Sequence, residues 1–163
     1  MASDSHASPA SITERIVARW ALRRLGSLQH ERRVLALADE LFRLLRPRHD
    51  LGAFGRRMLR LAALAHDVGR GVDDKRHPQI GARMLLADRR LPLNQQQRRC
   101  LAYLTRYHRG AVPEIGYDDF LHDDDPQNQM RIVLALLRAA DALDGRQHRA
   151  PQRVRFKIRG DRL

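Results

Sequence analysis

The chain has 163 residues, of which 43% are hydrophobic, and it carries a formal net charge of +12. This length suits one domain with a single core and excludes two domains of ordinary size. The longest apolar stretch, residues 132–137, is too short to cross a bilayer, and the N-terminus lacks the pattern of a signal peptide. The single cysteine, Cys100, excludes an internal disulfide, so we expect a cytoplasmic protein with no membrane partner.

The excess positive charge comes almost entirely from arginine, since only Lys75 and Lys157 are lysines among 31 basic residues. Guanidinium groups favour bidentate contacts with phosphates or carboxylates. The charge has two interpretations at this point, namely solvated helix faces or a dedicated polyanion site. An aromatic content of 5% and the lack of a recognised binding motif argue against nucleic acid as the partner.

The first half of the chain predicts three helices after a disordered lead-in over residues 1–10. Ser11 or Thr13 can cap the first helix, which Gly26 ends. The second helix is predicted over residues 29–46, before Pro47, and it carries His30 at its N-terminal end. The third is predicted over residues 51–66.

The second half predicts three more helices. Glycines at 69 and 71 break the third helix into a polar loop over residues 72–76, and His77–Pro78 opens the fourth helix. Asn94 caps a fifth helix over residues 94–109, in which His108 follows the leucine stripe. After a polar loop over residues 110–125, Pro126 or Asn128 starts a sixth helix, which places Asp141 on an apolar face.

The period changes to two after Pro151, where Val154, Phe156 and Ile158 alternate with basic residues. This pattern predicts one short C-terminal β-strand over residues 153–159. A lone strand exposes unpaired backbone, so it pairs within the protein, pairs in a homodimer, or is disordered. We therefore divide the chain into a lead-in over 1–10, a helical domain over 11–150 and a strand tail over 151–163.

The doublet His66–Asp67 ends the apolar run of residues 61–65. Adjacent imidazole and carboxylate groups are costly to bury in a core, but they are natural metal ligands. Four further donors lie in or beside apolar helical patterns, and the full candidate set is His30, His66, Asp67, His77, His108 and Asp141. A single helical histidine is more often exposed or hydrogen-bonded, and Asp141 alone could pair with an arginine. The collective pattern favours a metal site.

Six donors exceed what one metal ion takes while leaving room for water, so we consider two ions bridged by Asp67. His30, His66 and Asp141 would bind one ion, while His77 and His108 would bind the other. The donor types suit Mn, Fe, Mg, Co, Ni or Zn without selecting one. Basic side chains beside the candidate ligands could bind substrate phosphate, and these are Arg70, Lys75, Arg106 and Arg109.

The order and spacing of His30, His66–Asp67 and Asp141 resemble the ligand pattern of the HD superfamily of metal-dependent phosphohydrolases. More narrowly, three segments resemble the C-terminal HD-like domain of the exopolyphosphatase and guanosine pentaphosphate phosphatase (Ppx/GppA) family, namely LAALAHDVGRGV, residues 105–109 and LLRAADALDG. This resemblance covers about residues 12–160 and implies an all-α HD-type bundle of about six helices with a small β tail. The chain contains no counterpart of that family's actin-like ATPase domains, so their phosphatase reaction is not carried over.

The resemblance implies a standalone metal-dependent phosphohydrolase, with Asp67 and Arg70 in catalytic roles. Its substrate would be a phosphate ester, a nucleotide or a polyphosphate-like anion, attacked by hydroxide bound to the metal. The alternative is a noncatalytic HD-like module that binds a polyanion or a partner protein, with a structural metal or none. Both hypotheses stay open on the sequence.

Overall fold

The computed structural model describes residues 11–145, and within them all regular secondary structure is helical. The six α-helices are α1 (Ile12–Leu25), α2 (Gln29–Leu44), α3 (Ala53–Ala65), α4 (His77–Ala87), α5 (Gln95–Tyr107) and α6 (Gln127–Asp144). Short 3₁₀ helices lie at Arg46–Arg48 and Val68–Gly71. The prediction of an all-α domain with about six helices is confirmed.

The helix termini form where local chemistry predicts them. Ser11 caps α1, since its hydroxyl accepts a hydrogen bond from the Glu14 backbone N–H at 3.2 Å. Gly26 ends α1 in the left-handed region, with a φ of 75° that favours glycine. Asn94 and Gln97 form a reciprocal capping box at the start of α5. These caps fix the ends of the helices, and therefore the positions of the side chains near those ends.

Two details differ from the sequence prediction. Helix α2 ends at Leu44 rather than at residue 46, because the chain tightens into the 3₁₀ helix that contains Pro47. The sequence also did not predict the 3₁₀ helix Val68–Gly71, which lies between the doublet and the predicted polar loop over residues 72–76 and buries Val68 and Gly69. This short helix contacts α4 and α1, so it belongs to the core of the domain.

Helix α3 occupies the centre of the bundle. It contacts α1, α2, α5 and α6, and all five residues from 61 to 65 are buried. A helix surrounded on every side needs apolar residues around its whole circumference rather than one stripe. This explains why the run that precedes His66 shows no amphipathic pattern, and it places the doublet at the end of a helix that packs against four others.

The predicted lead-in over 1–10 and the predicted strand with Val154, Phe156 and Ile158 lie outside the described residues, and the homodimer that such a strand suggested stays a prediction. Among the described residues, no helix combines the length and the apolar character needed to cross a membrane.

Candidate metal centre

The six predicted ligands come together at one end of the bundle. Five α-helices supply them: α2 begins there, α4 begins there, and α3, α5 and α6 end there. His30 lies in the first turn of α2, His66 caps the C-terminus of α3, and His77 is the first residue of α4. His108 caps the C-terminus of α5, and Asp141 lies in the last turn of α6. The predicted ligand set is thus a spatial cluster, referred to below as the His/Asp cluster, which consists of His30, His66, Asp67, His77, His108 and Asp141.

Three of the four imidazoles are oriented by the backbone carbonyl three residues earlier. His66 Nδ1 lies 3.0 Å from the oxygen of residue 63, His77 Nδ1 lies 2.6 Å from that of residue 74, and His108 Nδ1 lies 2.7 Å from that of residue 105. A carbonyl only accepts, so each Nδ1 carries the hydrogen and donates it. The Nε2 atom of each neutral ring therefore holds a lone pair directed into the cluster.

His30 is oriented by a carboxylate instead. Its Nδ1 donates to Asp144 Oδ2 at 2.6 Å, and Arg33 holds the same carboxylate with Nε at 2.7 Å from Oδ1 and a terminal nitrogen at 3.1 Å from Oδ2. This hydrogen bond fixes the His30 tautomer in the same sense as the other three rings. A carboxylate behind a histidine is the usual support for a metal ligand, because it orients the ring and raises its basicity.

The first half of the cluster is formed by His30, His66 and Asp141. The Nε2 atoms of His30 and His66 lie 3.3 Å apart. Asp141 Oδ1 lies 3.1 Å from His30 Nε2 and 3.7 Å from His66 Nε2. Asp67 Oδ2 is the fourth donor of this group, and it lies 3.6 Å from both the His30 and the His66 Nε2 atoms. Four potential donors thus surround one point from different helices.

The second half is formed by His77 and His108, whose Nε2 atoms lie 3.2 Å apart. Asp67 Oδ1 lies 3.1 Å from His77 Nε2 and 3.5 Å from His108 Nε2. Asp67 therefore directs one oxygen to each half, which is the bridging position that the sequence predicts for it. This arrangement would allow a single carboxylate to ligate two ions.

The chemistry of the donor set fits a cation. With each Nδ1 donating outward, the cluster is lined by nitrogen lone pairs and carboxylate oxygens at 3.1–3.7 Å from one another. Such contacts are repulsive unless a proton or a metal ion lies between them. His66 and Asp67 are 0% and 1% exposed, so water screens little of this repulsion.

Burial keeps two of the imidazoles neutral at physiological pH. Burial, with the neighbouring His66, lowers the pKa of His108 well below its ordinary value. Burial also lowers the pKa of His77, and the charges of Arg70 and Arg109 lower it further against the hydrogen bond to the residue 74 carbonyl. A neutral ring keeps the Nε2 lone pair available for metal binding.

In the first half of the cluster, the pKa of an imidazole shifts upward instead. Burial acts to lower the pKa of His30, but its hydrogen bonds to Asp141 and Asp144 raise it above the ordinary value. Burial acts to raise the pKa of Asp141, but the neighbouring imidazoles of His30 and His66 and the charge of Arg109 bring it far below the ordinary value. Asp141 is therefore a carboxylate at neutral pH, and a proton on His30 can take the place of a cation beside it.

The four predicted phosphate-binding residues divide into two pairs. Arg70 Nε lies 3.0 Å from Asp67 Oδ1, and Arg109 lies 3.4 Å from Asp141 Oδ2. Lys75 is exposed, and the Arg106 guanidinium lies over the Tyr107 ring at 4.9 Å from its centroid. Within residues 11–145, neither of the latter two has an ion pair with the cluster. The structure thus brings Arg70 and Arg109 to the candidate site.

Glycine permits the close approach that positions Asp67 next to His77. A Cβ on Gly69 would collide with the His77 carbonyl oxygen and lie 2.8 Å from the His77 Cα. A Cβ on Gly81 would lie 2.9 Å from Thr105 Cγ2. Helix α4 therefore packs against the 3₁₀ helix and α5 at a distance that only glycine allows.

The supporting pair Arg33 and Asp144 was not identified from the sequence, although a signal for it exists. Asp144 follows Asp141 by three residues on α6, which places both carboxylates on the same side of that helix. Arg33 follows His30 by three residues on α2, so it lies on the same side of that helix and pairs with Asp144.

Two of the histidines left outside the predicted set do not belong to the His/Asp cluster. His122 is exposed, whereas His49 is half-buried with Nε2 at 3.1 Å from the Phe42 carbonyl oxygen.

Comparison with known families assigns the chain to a family of phosphatases. A family profile described as Ppx/GppA phosphatase, domain III, matches residues 15–162. The chain belongs to this family. No curated protein matches the chain. The matched range contains the whole His/Asp cluster and nearly all of α1, so the family relation covers the candidate site as well as the fold.

Membership relates the chain to a phosphatase family. The part that matches is domain III, so the relation concerns this helical domain. It confirms the resemblance seen in the segments that contain His66, His108 and Asp141.

Proposed function

We propose that the His/Asp cluster binds one or two divalent metal ions and that the chain hydrolyses a phosphate ester, a nucleotide or a polyphosphate-like anion. The observation that carries the proposal is the convergence of four Nε2 atoms and two carboxylates, in which three of the imidazoles face the cluster with Nε2 because Nδ1 is bound to a backbone carbonyl. The resemblance of the ligand order to the HD superfamily supports the same assignment, and we propose that this domain is of the HD type.

We propose that the residues divide between two ions. His30, His66 and Asp141 would hold one ion with Asp67 Oδ2, and the remaining two histidines would hold the other with Asp67 Oδ1. Nitrogen and oxygen donors without thiolate suit Mn, Fe, Mg, Co, Ni or Zn. Ions of this kind supply Lewis acidity toward phosphoryl oxygens and lower the pKa of water.

The protein's own contribution to the reaction is positioning and charge. Asp144 and the carbonyls behind the other rings hold the imidazoles in one tautomer. Arg70 is 15% exposed and lies at the edge of the cluster, while the Arg109 side chain is 46% exposed. These two guanidinium groups would bind phosphoryl oxygens and stabilise negative charge on them. Within the cluster, we propose catalytic roles for Asp67 and Arg70.

A second function is favoured by one feature of the cluster, namely that it joins the ends of five α-helices. A metal ion in such a place would stabilise the bundle even without a reaction. In that case the chain would be a noncatalytic module whose basic surface binds a polyanion or a partner protein. The two functions differ in whether loss of the metal removes an activity or only stability.

Metal analysis of the purified full chain tests metal binding first. We expect Mn, Fe, Co, Ni or Zn at one or two equivalents, or retention of these ions or Mg after reconstitution. Asp67→Ala should lose most of this metal, while the matched control His122→Ala, which changes an exposed histidine, should retain it. Equal metal content in the wild type and Asp67→Ala would contradict the assignment of the cluster.

A screen of phosphate esters with the metal-loaded chain then tests hydrolysis. Activity that is present in the wild type and in His122→Ala, but absent from Asp67→Ala, supports the phosphohydrolase. A chain that binds metal normally and hydrolyses none of the esters supports the noncatalytic module instead. We further propose a cytoplasmic location, since a chain with one cysteine forms no internal disulfide, which suits a reducing compartment.

A further inference from the structure

A cleft of about 440 Å³ adjoins the His/Asp cluster. His30 and Asp67 line it, so that it shares two residues with the cluster, and the other side chains around it come from the end of α1, the start of α2 and the segment around Arg70. Its volume lies within the range of small-molecule sites and exceeds what one phosphate group fills. The cleft can therefore hold the remainder of a substrate whose phosphate lies at the cluster.

One part of this cleft is suited to an anion. Arg33 and Arg70 line it, and the N-terminus of the 16-residue helix α2 opens onto it. The N-cap residue of α2 is Leu28, which offers no side-chain acceptor to the first-turn N–H groups. Ser27 Oγ accepts from the Gln29 N–H at 3.3 Å, which leaves the N–H groups of residues 30 and 31 without a side-chain cap. Such N–H groups and arginines together attract phosphate.

Glu31, in contrast, makes another part of the cleft unfavourable for an anion. It lines the same cleft and is only 4% exposed. Its charge acts on His30 and Arg33, but within residues 11–145 its carboxylate accepts no hydrogen bond and forms no ion pair. The Glu31 side chain lines the cleft and its carboxylate oxygens are not among the fully buried unpaired atoms, so a ligand in the cleft that carries hydrogen-bond donors can reach them. Hydroxyl groups are such donors, whereas further phosphate groups would be repelled.

We infer that Glu31 accepts hydrogen bonds from hydroxyl groups of the substrate, so that the cleft selects a hydroxyl-bearing phosphate ester of the sugar or nucleoside phosphate class over inorganic polyphosphate. The inference rests on the proposed function, because it places the phosphate of that substrate at the His/Asp cluster. In this arrangement Arg70 lies near the phosphate, and Glu31 is a specificity-determining residue that takes no part in the reaction itself.

Equilibrium binding to the metal-loaded full chain tests this without relying on turnover. The probes are ribose phosphate, adenosine monophosphate, the dideoxy analogue of adenosine monophosphate, inorganic tripolyphosphate and orthophosphate, each titrated by calorimetry. Hydrogen bonds from hydroxyl groups to the charged Glu31 carboxylate predict that the nucleotide binds about ten- to a hundredfold more tightly than its dideoxy analogue. If adenosine monophosphate also binds more tightly than ribose phosphate, the ligand of the cleft is a nucleoside phosphate. Equal binding of the two probes indicates that it is a sugar phosphate.

The variants are Glu31→Gln and Glu31→Ala, with Glu40→Gln as the matched control. Glu40 lies on the same helix but is exposed and pairs with Arg43. Glu31→Ala should abolish the preference for hydroxyl groups, Glu31→Gln should reduce it, and tripolyphosphate should bind either variant more tightly than it binds the wild type. Glu40→Gln should behave as the wild type does. Because Glu31→Gln preserves the shape of the side chain, it keeps the test valid if the alanine variant folds poorly.

Equal affinity of the wild type for the nucleotide and its dideoxy analogue would overturn the inference, as would a hydroxyl preference that survives in Glu31→Ala. Tighter binding of tripolyphosphate than of the hydroxyl-bearing probes by the wild type would also overturn it. Failure of the proposed function gives a different result, since a noncatalytic chain can still bind these probes while hydrolysing none of them.

Discussion

His30 and Asp144 are joined by a hydrogen bond of 2.6 Å that runs between the start of α2 and the end of α6. It connects residues 114 positions apart in the chain and determines which nitrogen of His30 is directed into the His/Asp cluster. Arg33 holds the other side of the same carboxylate. The candidate metal centre therefore includes a supporting layer whose removal should be measurable.

Asp144→Asn tests that supporting layer. The amide keeps the size of the side chain but loses the charge that fixes the His30 tautomer and pairs with Arg33. We expect metal affinity, measured by competition with a chelator, to fall about ten- to a hundredfold. Asp124→Asn is the matched control, since the Asp124 side chain is 75% exposed. Unchanged affinity in Asp144→Asn would show that the carboxylate does not support a ligand.

Metal removal should destabilise the fold, because the donors of the His/Asp cluster repel one another without a cation. Free metal at a hundred times its dissociation constant stabilises a protein by about 2.7 kcal/mol, which corresponds to a rise in Tm of roughly 5 to 11 °C for a domain of this size. Calorimetry of the chain before and after treatment with a chelator measures this shift. His66→Ala, which removes a fully buried ligand, should shrink it, whereas His122→Ala should not. A Tm that is independent of metal would count against the centre.

Gly69→Ala tests the close approach between the 3₁₀ helix and α4. The added methyl group would meet the His77 backbone and push it away from Asp67. Overpacking of this kind costs about 1–3 kcal/mol of unfolding free energy, and we expect metal affinity to fall with it. Gly52→Ala is the control, since a Cβ there meets nothing within 4 Å. Urea denaturation with parallel metal titration distinguishes the two variants, and equal stability would contradict the packing described.

Asp88 provides a pH-dependent test away from the His/Asp cluster. Hydrogen bonds from Arg90 lower the pKa of its carboxyl against the opposing effect of burial, and Trp20 Nε1 donates a further bond at 2.8 Å. A carboxylate whose pKa is lower in the folded state adds stability above its unfolded value, near 3.9, and loses it as the pH falls toward the folded value. Asp88→Asn should therefore lower the urea midpoint at pH 7, and the deficit should shrink below about pH 4.

The control for that experiment is Asp119→Asn, because Asp119 is exposed. It should match the wild type throughout the pH range. A deficit in Asp88→Asn that stays constant from neutral to acidic pH would mean that shape rather than charge determines the contribution of this residue.

Much of the fold could be predicted because its signals are local. Ser11, Gly26 and Asn94 mark helix ends through hydrogen bonds and backbone angles within a few residues. The 3₁₀ helix after Asp67 was not predicted, because a buried glycine there reflects contact with His77, eight residues further along the chain. Such contacts leave no local periodicity.

The candidate ligands were likewise recognisable in the sequence, since polar residues on apolar helix faces are few. His66 and Asp141 stand out because each interrupts a buried stripe, and burying an imidazole or a carboxylate requires a reason. Lys75 and Arg106 show that a basic residue near a ligand in the sequence need not reach the site. Both are near the ligands along the chain, but the side chain of Arg106 lies over an aromatic ring and Lys75 is exposed.

By itself, the sequence determined the helical class, the six helices and the identity of the potential ligands, because helix caps and apolar periodicity act over a few residues. Only the tertiary structure decided that Asp67 directs one oxygen to each pair of histidines, that Asp144 supports His30, and that Glu31 lines a cleft beside them. These relationships join residues on different helices, and they depend on how the helices pack around α3. Side-chain directions at the ends of packed helices follow from three-dimensional contacts, which no local pattern in the sequence specifies.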